Sequence, residues 1–489
     1  MKKLILKNNL IKNTLILIIV SLLVKGLGLL NRIVLTRLLG NQGISLYILA
    51  LPTIMLFMSI AGFSLNIVLS KIVSENLITQ KYKNRTILIK AILLGLMTSL
   101  LSIIILLIII KPLTSKWLGQ KETYYPILSI IFFLPIVVFN NVIRGYYNGI
   151  NKVNLSAYSN LIEQFSRIIA TFILIYIFKE KSVTFLVTIA TLSMGLGELI
   201  SLLYALLKLK KNIIHINGTF SPTKEIFNQA FPTTTSRLLT NFTFFLEPII
   251  YTLALKLINF PNNEIMYKYS EINAYAIPLI TMFSFISVSI ATSISPNISK
   301  YNMTNKLKMQ NLISSSLIIA LIPGILISIT LFFYSKEIMN LIYNTDIAYN
   351  YVRNFSFAFL IFYIEPILIS ALQALGENKN LFIITIISNI LKLVLIFSLT
   401  FIKIISYNSL IISISINSVI TTLTLFFHLK NISNFKIKKE KIINILILFI
   451  ITFLSCYLFK LLINNFIVVI FITTLLFLIY LKTLKLINF

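Results

Sequence analysis

The sequence predicts an all-α membrane protein of about fourteen transmembrane helices, built as two six-helix lobes related by pseudo-twofold symmetry plus two C-terminal helices. Three observations predict it. Of 489 residues, 57% are hydrophobic and only 12% are charged, with a mean hydropathy of +0.93, the composition of a chain that lives in a bilayer. Apolar runs long enough to cross hydrocarbon recur along the whole length. Short segments also repeat at a nearly constant offset.

The spans follow in order at 13–38, 44–71, 87–110, 125–146, 155–178, 184–207, 226–256, 271–296, 310–333, 352–374, 380–402, 406–428, 442–463 and 465–482. Runs of this kind must be helical, because no water is present in hydrocarbon to satisfy the backbone. Pro52, Pro135, Pro278, Pro323 and Pro366 fall inside spans, where neighbouring helices re-satisfy the freed backbone groups. The first run is too long for a signal peptide and no small-residue cleavage site follows it, so the first helix is expected to stay. SNLIEQ at Ser159–Gln164 recurs as SNILKL at Ser388–Leu393, a shift of 229. GINK at Gly149–Lys152 answers GENK at Gly376–Lys379, a shift of 227, and Pro52 and Phe57 match Pro278 and Phe283 at 226. A six-helix unit used twice accounts for these offsets, and an even number of spans makes the copies parallel repeats. The expected organisation is an N-terminal lobe at 1–209, a linker at 210–225, a C-terminal lobe at 226–430 facing the first across a cavity, and a helix pair at 431–489.

The formal net charge of +29 does not point to nucleic acid, because the basic residues track the connections. Lys2, Lys3, Lys7 and Lys12 lead, and Lys71, Lys81, Lys83, Arg85, Lys208, Lys210, Lys211, Lys224, Lys436, Lys438, Lys439 and Lys441 fall in alternate connections. The opposite connections, with Lys111, Lys116, Lys121, Lys256, Lys336 and Lys460, are poorer in Lys and Arg. The positive-inside rule then places both termini in the cytoplasm of a plasma-membrane protein. Cys456 is the only cysteine, His215 and His428 the only histidines and Asp346 the only aspartate. No metal site, cofactor or hydrolytic centre is expected from that inventory.

Charges inside spans require a reason, since one at the centre of a spanning helix costs roughly 2.5–3.5 kcal/mol on the lenient insertion scale. KGLGLLNRIVLTRLLG at Lys25–Gly40 carries Lys25 and Arg32 on one helical face with Gly28 between them, and Arg37 beyond. That face is expected to look into a cavity; the alternative is that Arg32 and Arg37 snorkel to the nearer surface. Glu163, Arg167, Glu198, Arg237, Glu247, Glu271, Glu365 and Lys392 are the other embedded charges. Two readings are open at Glu163. Its spacing of four from Arg167 suits a local ion pair, whereas the repeat places Lys392 at the corresponding position of the other lobe, which suits a gate across the cavity. Arg237 and Asn241 share a face by the same spacing.

The Lys25–Gly40 motif, AGFSLNIVLSKIVSE at Ala61–Glu75 and RGYYNGINKVNLSAYSNLIEQFSRI at Arg144–Ile168 together resemble the polysaccharide transport branch of the multidrug/oligosaccharidyl-lipid/polysaccharide exporter superfamily. FPTTTSRLLTNFTFFLEPII at Phe231–Ile250, the Tyr269–Ser299 segment and ISALQALGENKN at Ile369–Asn380 extend the resemblance through the second half. Gly26 and Asn31 depart from the family pattern, where a bulky apolar and an aromatic residue are expected.

The resemblance implies a flippase for an undecaprenyl-pyrophosphate-linked sugar, of the peptidoglycan type and used for spore cortex, working by alternating access. The last two helices would supply a groove for the lipid tail, with cell-wall synthesis enzymes as possible partners. A pyrophosphate calls for guanidinium and ammonium donors, which Lys25, Arg32, Arg237 and, near the mouth, Arg144 would provide. Glu163, Arg167, Glu198, Glu247 and Lys392 are the candidates for gating or ion coupling. The rivals are a multidrug antiporter for organic cations, which would want acids and aromatics in its cavity, a membrane glycosyltransferase or polymerase, disfavoured by the shortage of Asp and His, and a non-transporting scaffold for cell-wall synthesis.

Overall fold

The computed structural model describes residues 2–484 other than 210–212, 215, 217 and 219–220, and their side chains other than those of 2–19, 21 and 236. His215, much of the expected linker and the side chains of the leading lysines therefore lie outside the described residues. Every regular element among those described is helical. Ten helices are long and apolar enough to cross a membrane, or thirteen if three bent pairs each count as one span. One of these runs 58 residues, Leu22–Thr79, which at about 1.5 Å per residue is far longer than a bilayer core of about 30 Å. It breaks at Gly40, whose φ of 63° and ψ of −172° lie outside the helical region. The break divides this run in two, and the chain is a multi-pass membrane protein.

The chain divides into two compact units, Met1–Ser270 and Glu271–Phe489. The first holds α1 (Lys2–Gly62), α2 (Leu65–Thr79), α3 (Asn84–Pro112), α4 (Tyr124–Leu128), α5 (Leu134–Gly149), α6 (Val153–Ile177), α7 (Val183–Leu209), α8 (Thr223–Leu257) and α9 (Asn262–Ser270). By packing, α8 and α9 group with this unit although they follow the repeat boundary at 226. Within it α6 lies along α7 and α1, and α2 along α5. The α2–α5 approach is close because Gly145 and Gly149 face it: a Cβ on Gly145 would stand 2.8 Å from the Asn66 carbonyl oxygen, and one on Gly149 2.6 Å from Val73 Cβ. Small residues four apart let membrane helices meet backbone to backbone. The α2–α3 connection is tied to the start of α8, where Lys81 Nζ lies 3.6 Å from Glu225, and the first residue of α3 to the chain before α8, where Asn84 Nδ2 donates to the Ile214 carbonyl at 3.0 Å.

The second unit opens on a π-helical turn at Glu271–Ala276. It continues through α10 (Ile277–Ile280), α11 (Ser284–Thr304), α12 (Lys306–Tyr343), α13 (Tyr349–Phe355), α14 (Glu365–Ala374), α15 (Asn378–Thr400), α16 (Ser409–Ser433), α17 (Lys439–Leu462) and α18 (Phe466–Thr483). α15 packs along α16, and α11 sits between α12 and α14. α17 and α18 pack on each other and on α12, burying Ile322, Ile325, Leu448, Cys456, Val469 and Phe477 in one apolar cluster.

Three spans are bent, by 46°, 55° and 68°. Each carries a proline, Pro135, Pro278 or Pro366, at the first or second position of an α-helical segment. Proline has no amide hydrogen and restricts the residue before it, which accounts for the break at Phe133 just before Pro135. The breaks at 281–283 and 356–357 do not adjoin Pro278 or Pro366 on that side. The second expected span is also interrupted. Phe63 and Ser64 both take left-handed φ values, 45° and 48°, ending α1 where the apolar pattern continues without a break.

Candidate functional site

In the first unit, α5, α6 and α7 bring a buried charged cluster together. α5 contributes Asn140 and Arg144, one turn apart, α6 contributes Ser159, Glu163 and Arg167 at successive turns, and α7 contributes Glu198 and Ser201. The spacing of four on α5 and α6, and of three on α7, places each set on one face of its helix. Arg144 Nη1 lies 3.0 Å from Glu163 Oε2 and its Nη2 lies 3.9 Å from Glu198 Oε2. The same guanidinium donates from Nε to Ser159 Oγ at 3.0 Å and from Nη2 to Ser201 Oγ at 2.7 Å. Arg167 pairs with the other oxygen of Glu163, which is the local pair the spacing suggests. Glu198 accepts from Asn140 Nδ2 at 2.6 Å, and that amide also donates to the Glu198 carbonyl at 2.7 Å.

Two guanidiniums and two carboxylates make the cluster neutral. Glu163 and Glu198 are each 6% exposed, and the Arg144 and Arg167 side chains only 11% and 14%. Charges this deep persist only when paired and hydrogen-bonded, and here every charged group has a counter-ion. The pairing joins three helices, so it fixes how α5, α6 and α7 sit against one another.

Other embedded charges of this unit lie on α1 and α8. Glu247 on α8 is buried at 2% exposure and accepts from the Tyr269 hydroxyl at 3.4 Å. Arg32, half-buried, acts electrostatically on that phenol and, together with Arg167, on buried Tyr47. Lys25, Arg37 and Arg237 are exposed. Within the expected spans 13–38 and 226–256 the exposed charges are therefore positive, while Glu247, like Glu163 and Glu198, is buried; the exposed acid Glu264 lies outside them.

Lys392 belongs to the second unit. It lines a cavity of about 320 Å³ with Glu365, Ser388, Asn389, Asn417 and Thr421. Asn417 Oδ1, Ser418 Oγ and Thr421 Oγ1 are buried there without a hydrogen-bond partner. Glu271 stands half-buried at the start of the unit. The roles of Asn140, Ser159 and Ser201, and the polar stripe of α16, were not evident from charge alone. The available signal was spacing: Asn140 to Arg144, Ser159 to Glu163, and Ser413 through Asn417 to Thr421 are all separated by four.

Comparison with known proteins supports the resemblance seen in the motifs. The family model described as polysaccharide biosynthesis protein matches residues 10–257. The chain is 30% identical over 404 residues to stage V sporulation protein B of Bacillus subtilis (strain 168), covering 80% of this chain and 78% of that protein. It is 22% identical over 398 residues to sporulation protein YkvU of the same organism, covering 79% of this chain and 87% of that one. The solved structure of the lipid II flippase MurJ in an inward closed conformation superposes with a TM-score of 0.72 at 15% identity, covering 95% of this chain and 98% of that one. An inward-facing multidrug resistance transporter of the MATE family and MOP superfamily superposes with a TM-score of 0.66 at 15% identity, covering 83% and 94%. With a family match over half its length and a 30% identical relative aligned across most of both chains, this chain belongs to the polysaccharide biosynthesis protein family and has the fold of the MOP exporters.

Proposed function

We propose that the protein is a flippase, a transporter and not an enzyme, that carries a lipid-linked sugar precursor across the plasma membrane by alternating access. One observation carries the reading: within the expected spans of the first unit the exposed charges, Lys25, Arg37, Lys71 and Arg237, are basic, and Glu163, Glu198 and Glu247 are buried. Exposed acids such as Glu75, Glu122 and Glu264 lie beyond the ends of those spans. An anionic pyrophosphate is matched by accessible ammonium and guanidinium groups. An organic cation would be repelled by them, which disfavours multidrug export on the same fold.

In this mechanism the pyrophosphate engages Lys25 and Arg237, with Arg32 beside them on α1. The polyprenyl tail stays in hydrocarbon along α17 and α18. Lobes at 1–209 and 226–430, joined by the linker at 210–225, rock to expose the sugar on the outer face, and the helix pair of 431–489 follows the second lobe. The Arg144–Glu163–Arg167–Glu198 cluster keeps α5–α7 one rigid body, and Arg144, shared between two carboxylates, is the group whose partners exchange if an ion is coupled. Glu247 and Lys392 are the further gating groups. Membrane potential can reset the cycle, since one charge moved through 100 mV is worth about 2.3 kcal/mol.

The precursor assigned is an undecaprenyl-pyrophosphate peptidoglycan unit, supported by the flippase of like fold, and its destination the spore cortex, supported by the sporulation names of two relatives. Enzymes that make this lipid inside and consume it outside are the partners expected. The test is a proteoliposome assay with a fluorescent undecaprenyl-pyrophosphate sugar lipid and an outside-only quencher, run beside efflux of a cationic dye. Protein-dependent movement of the lipid without dye efflux is expected. Dye efflux without lipid movement would overturn the reading.

A further inference from the structure

The geometry points to a second site for a phosphate-bearing amphiphile, at the end of the second unit where α12, α13 and α17 meet. A cavity of about 470 Å³ there is lined by Phe332, Lys336, Glu337, Arg353, Tyr457 and Lys460, among others. It lies within the size range of pockets that bury an organic group.

α12 supplies the floor. The helix leaves helical geometry at Tyr334 (φ −125°, ψ 26°), and Lys460 Nζ of α17 donates to the Phe333 carbonyl beside that break at 2.8 Å. The same ammonium stands 5.8 Å from the Phe333 ring centroid and 5.2 Å from that of Tyr334. Arg353 Cζ is 5.5 Å from the Phe332 centroid, and Lys336 Nζ is 5.9 Å from that of Tyr349 and 3.5 Å from Asp346 Oδ2. Ring faces therefore hold three cations at the rim of one cavity. Asp346 offsets Lys336, so Arg353 and Lys460 supply the positive charge that faces Glu337.

The cavity continues into apolar surface. Phe332, Phe333, Phe357, Phe449 and Phe453 form an aromatic ladder between α12 and α17, with centroid separations from 4.9 to 6.4 Å. A ligand with an anionic head and an apolar chain matches both parts. The guanidinium gives the paired donors that a phosphate takes best, and the lysine gives a point charge. The Lys and Arg pattern assigns this end to the outer face. In the flippase reading, on which only the identity of the amphiphile rests, the site receives the headgroup after it has crossed.

Native mass spectrometry of the full chain in detergent tests this, in a K25A/R237A background so that the first headgroup site does not contribute. The probes are a long-chain polyprenyl pyrophosphate, the matching polyprenol and phosphatidylglycerol. Arg353→Gln with Lys460→Gln is expected to lower polyprenyl pyrophosphate retention by about tenfold or more, to leave polyprenol retention unchanged, and to keep the thermal midpoint. Glu337→Gln is expected to raise pyrophosphate retention. A parallel loss of phosphatidylglycerol would assign the site to bilayer phospholipid as well as to the pyrophosphate lipid, with the phosphate chemistry intact. Unchanged retention of both phosphate lipids in the double variant, or an equal loss of polyprenol, would overturn the inference whether or not the protein flips lipid.

Discussion

Arg144 is the residue on which the first unit's charged cluster depends. Replacing it by Gln leaves Glu163 with Arg167 alone and Glu198 with only an amide, and removing one partner from a buried pair costs about 3–5 kcal/mol. A fall in thermal midpoint is expected for Arg144→Gln, with partial recovery when Glu198→Gln is added, because the second change removes the stranded charge. Equal midpoints for the parent and Arg144→Gln would contradict the cluster's structural role. The Glu163–Arg167 pair was legible in the sequence because both residues sit on one helix, four apart. The bridge from Arg144 to Glu163 and Glu198 was not, because it depends on how three helices pack, which no spacing within one segment encodes. Repeat symmetry gave Lys392 as the counterpart of Glu163; its surroundings in the second unit, beside Glu365 and the hydroxyls of α16, needed coordinates.

At the level of elements, helix breaks decide the architecture. Gly40 occupies a backbone region open essentially to glycine alone, and a Cβ there meets no atom within 4 Å. Gly40→Ala should therefore cost about 1–3 kcal/mol through conformation and not through collision, visible as a lowered thermal midpoint. Gly149→Leu acts differently, by forcing α5 off α2 where Val73 is already close, and should lower both midpoint and yield of folded protein. If Gly149→Leu folds with the parent midpoint, the close approach is not needed. The sequence placed a proline in each of the three bent spans but did not mark the bends, since Pro52 and Pro323 lie inside helices that are not bent pairs. It did not mark the turn at Phe63–Ser64, where two ordinary residues adopt left-handed conformations that only the surrounding packing can impose. It also ended the ninth span at 333, whereas α12 runs on to Tyr343 and breaks at Tyr334, because polar residues near a membrane surface end a hydropathy window without ending a helix.

For the whole molecule, topology follows from the charge pattern of the connections. Cys456 is fully buried and is the only thiol, so single cysteines can be introduced into the natural chain. Asn344→Cys, in an exposed turn after α12, is expected to react with an impermeant maleimide from outside. Asn434→Cys, exposed after α16, is expected to react only once the membrane is opened. The reverse pattern would invert the orientation. The fold class was legible from composition and apolar run length because the bilayer imposes it, and the fourteen expected crossings compare with ten to thirteen candidate spans among the described residues. The headgroup proposed depends on which charges stay accessible, and the burial that separates Lys25 and Arg237 from Glu163, Glu198 and Glu247 is not encoded in the order of residues.

The most direct test of that separation is the initial rate of lipid flipping in proteoliposomes as a function of substrate concentration, for the parent and for Lys25→Ala with Arg237→Ala. Each base contributes a charge-assisted contact worth about 1.5–3 kcal/mol, so the account predicts an apparent KM raised by tenfold or more with the thermal midpoint unchanged, because neither residue belongs to the paired cluster. A parental KM in the double variant would contradict the claim that accessible basic residues of the first unit hold the pyrophosphate.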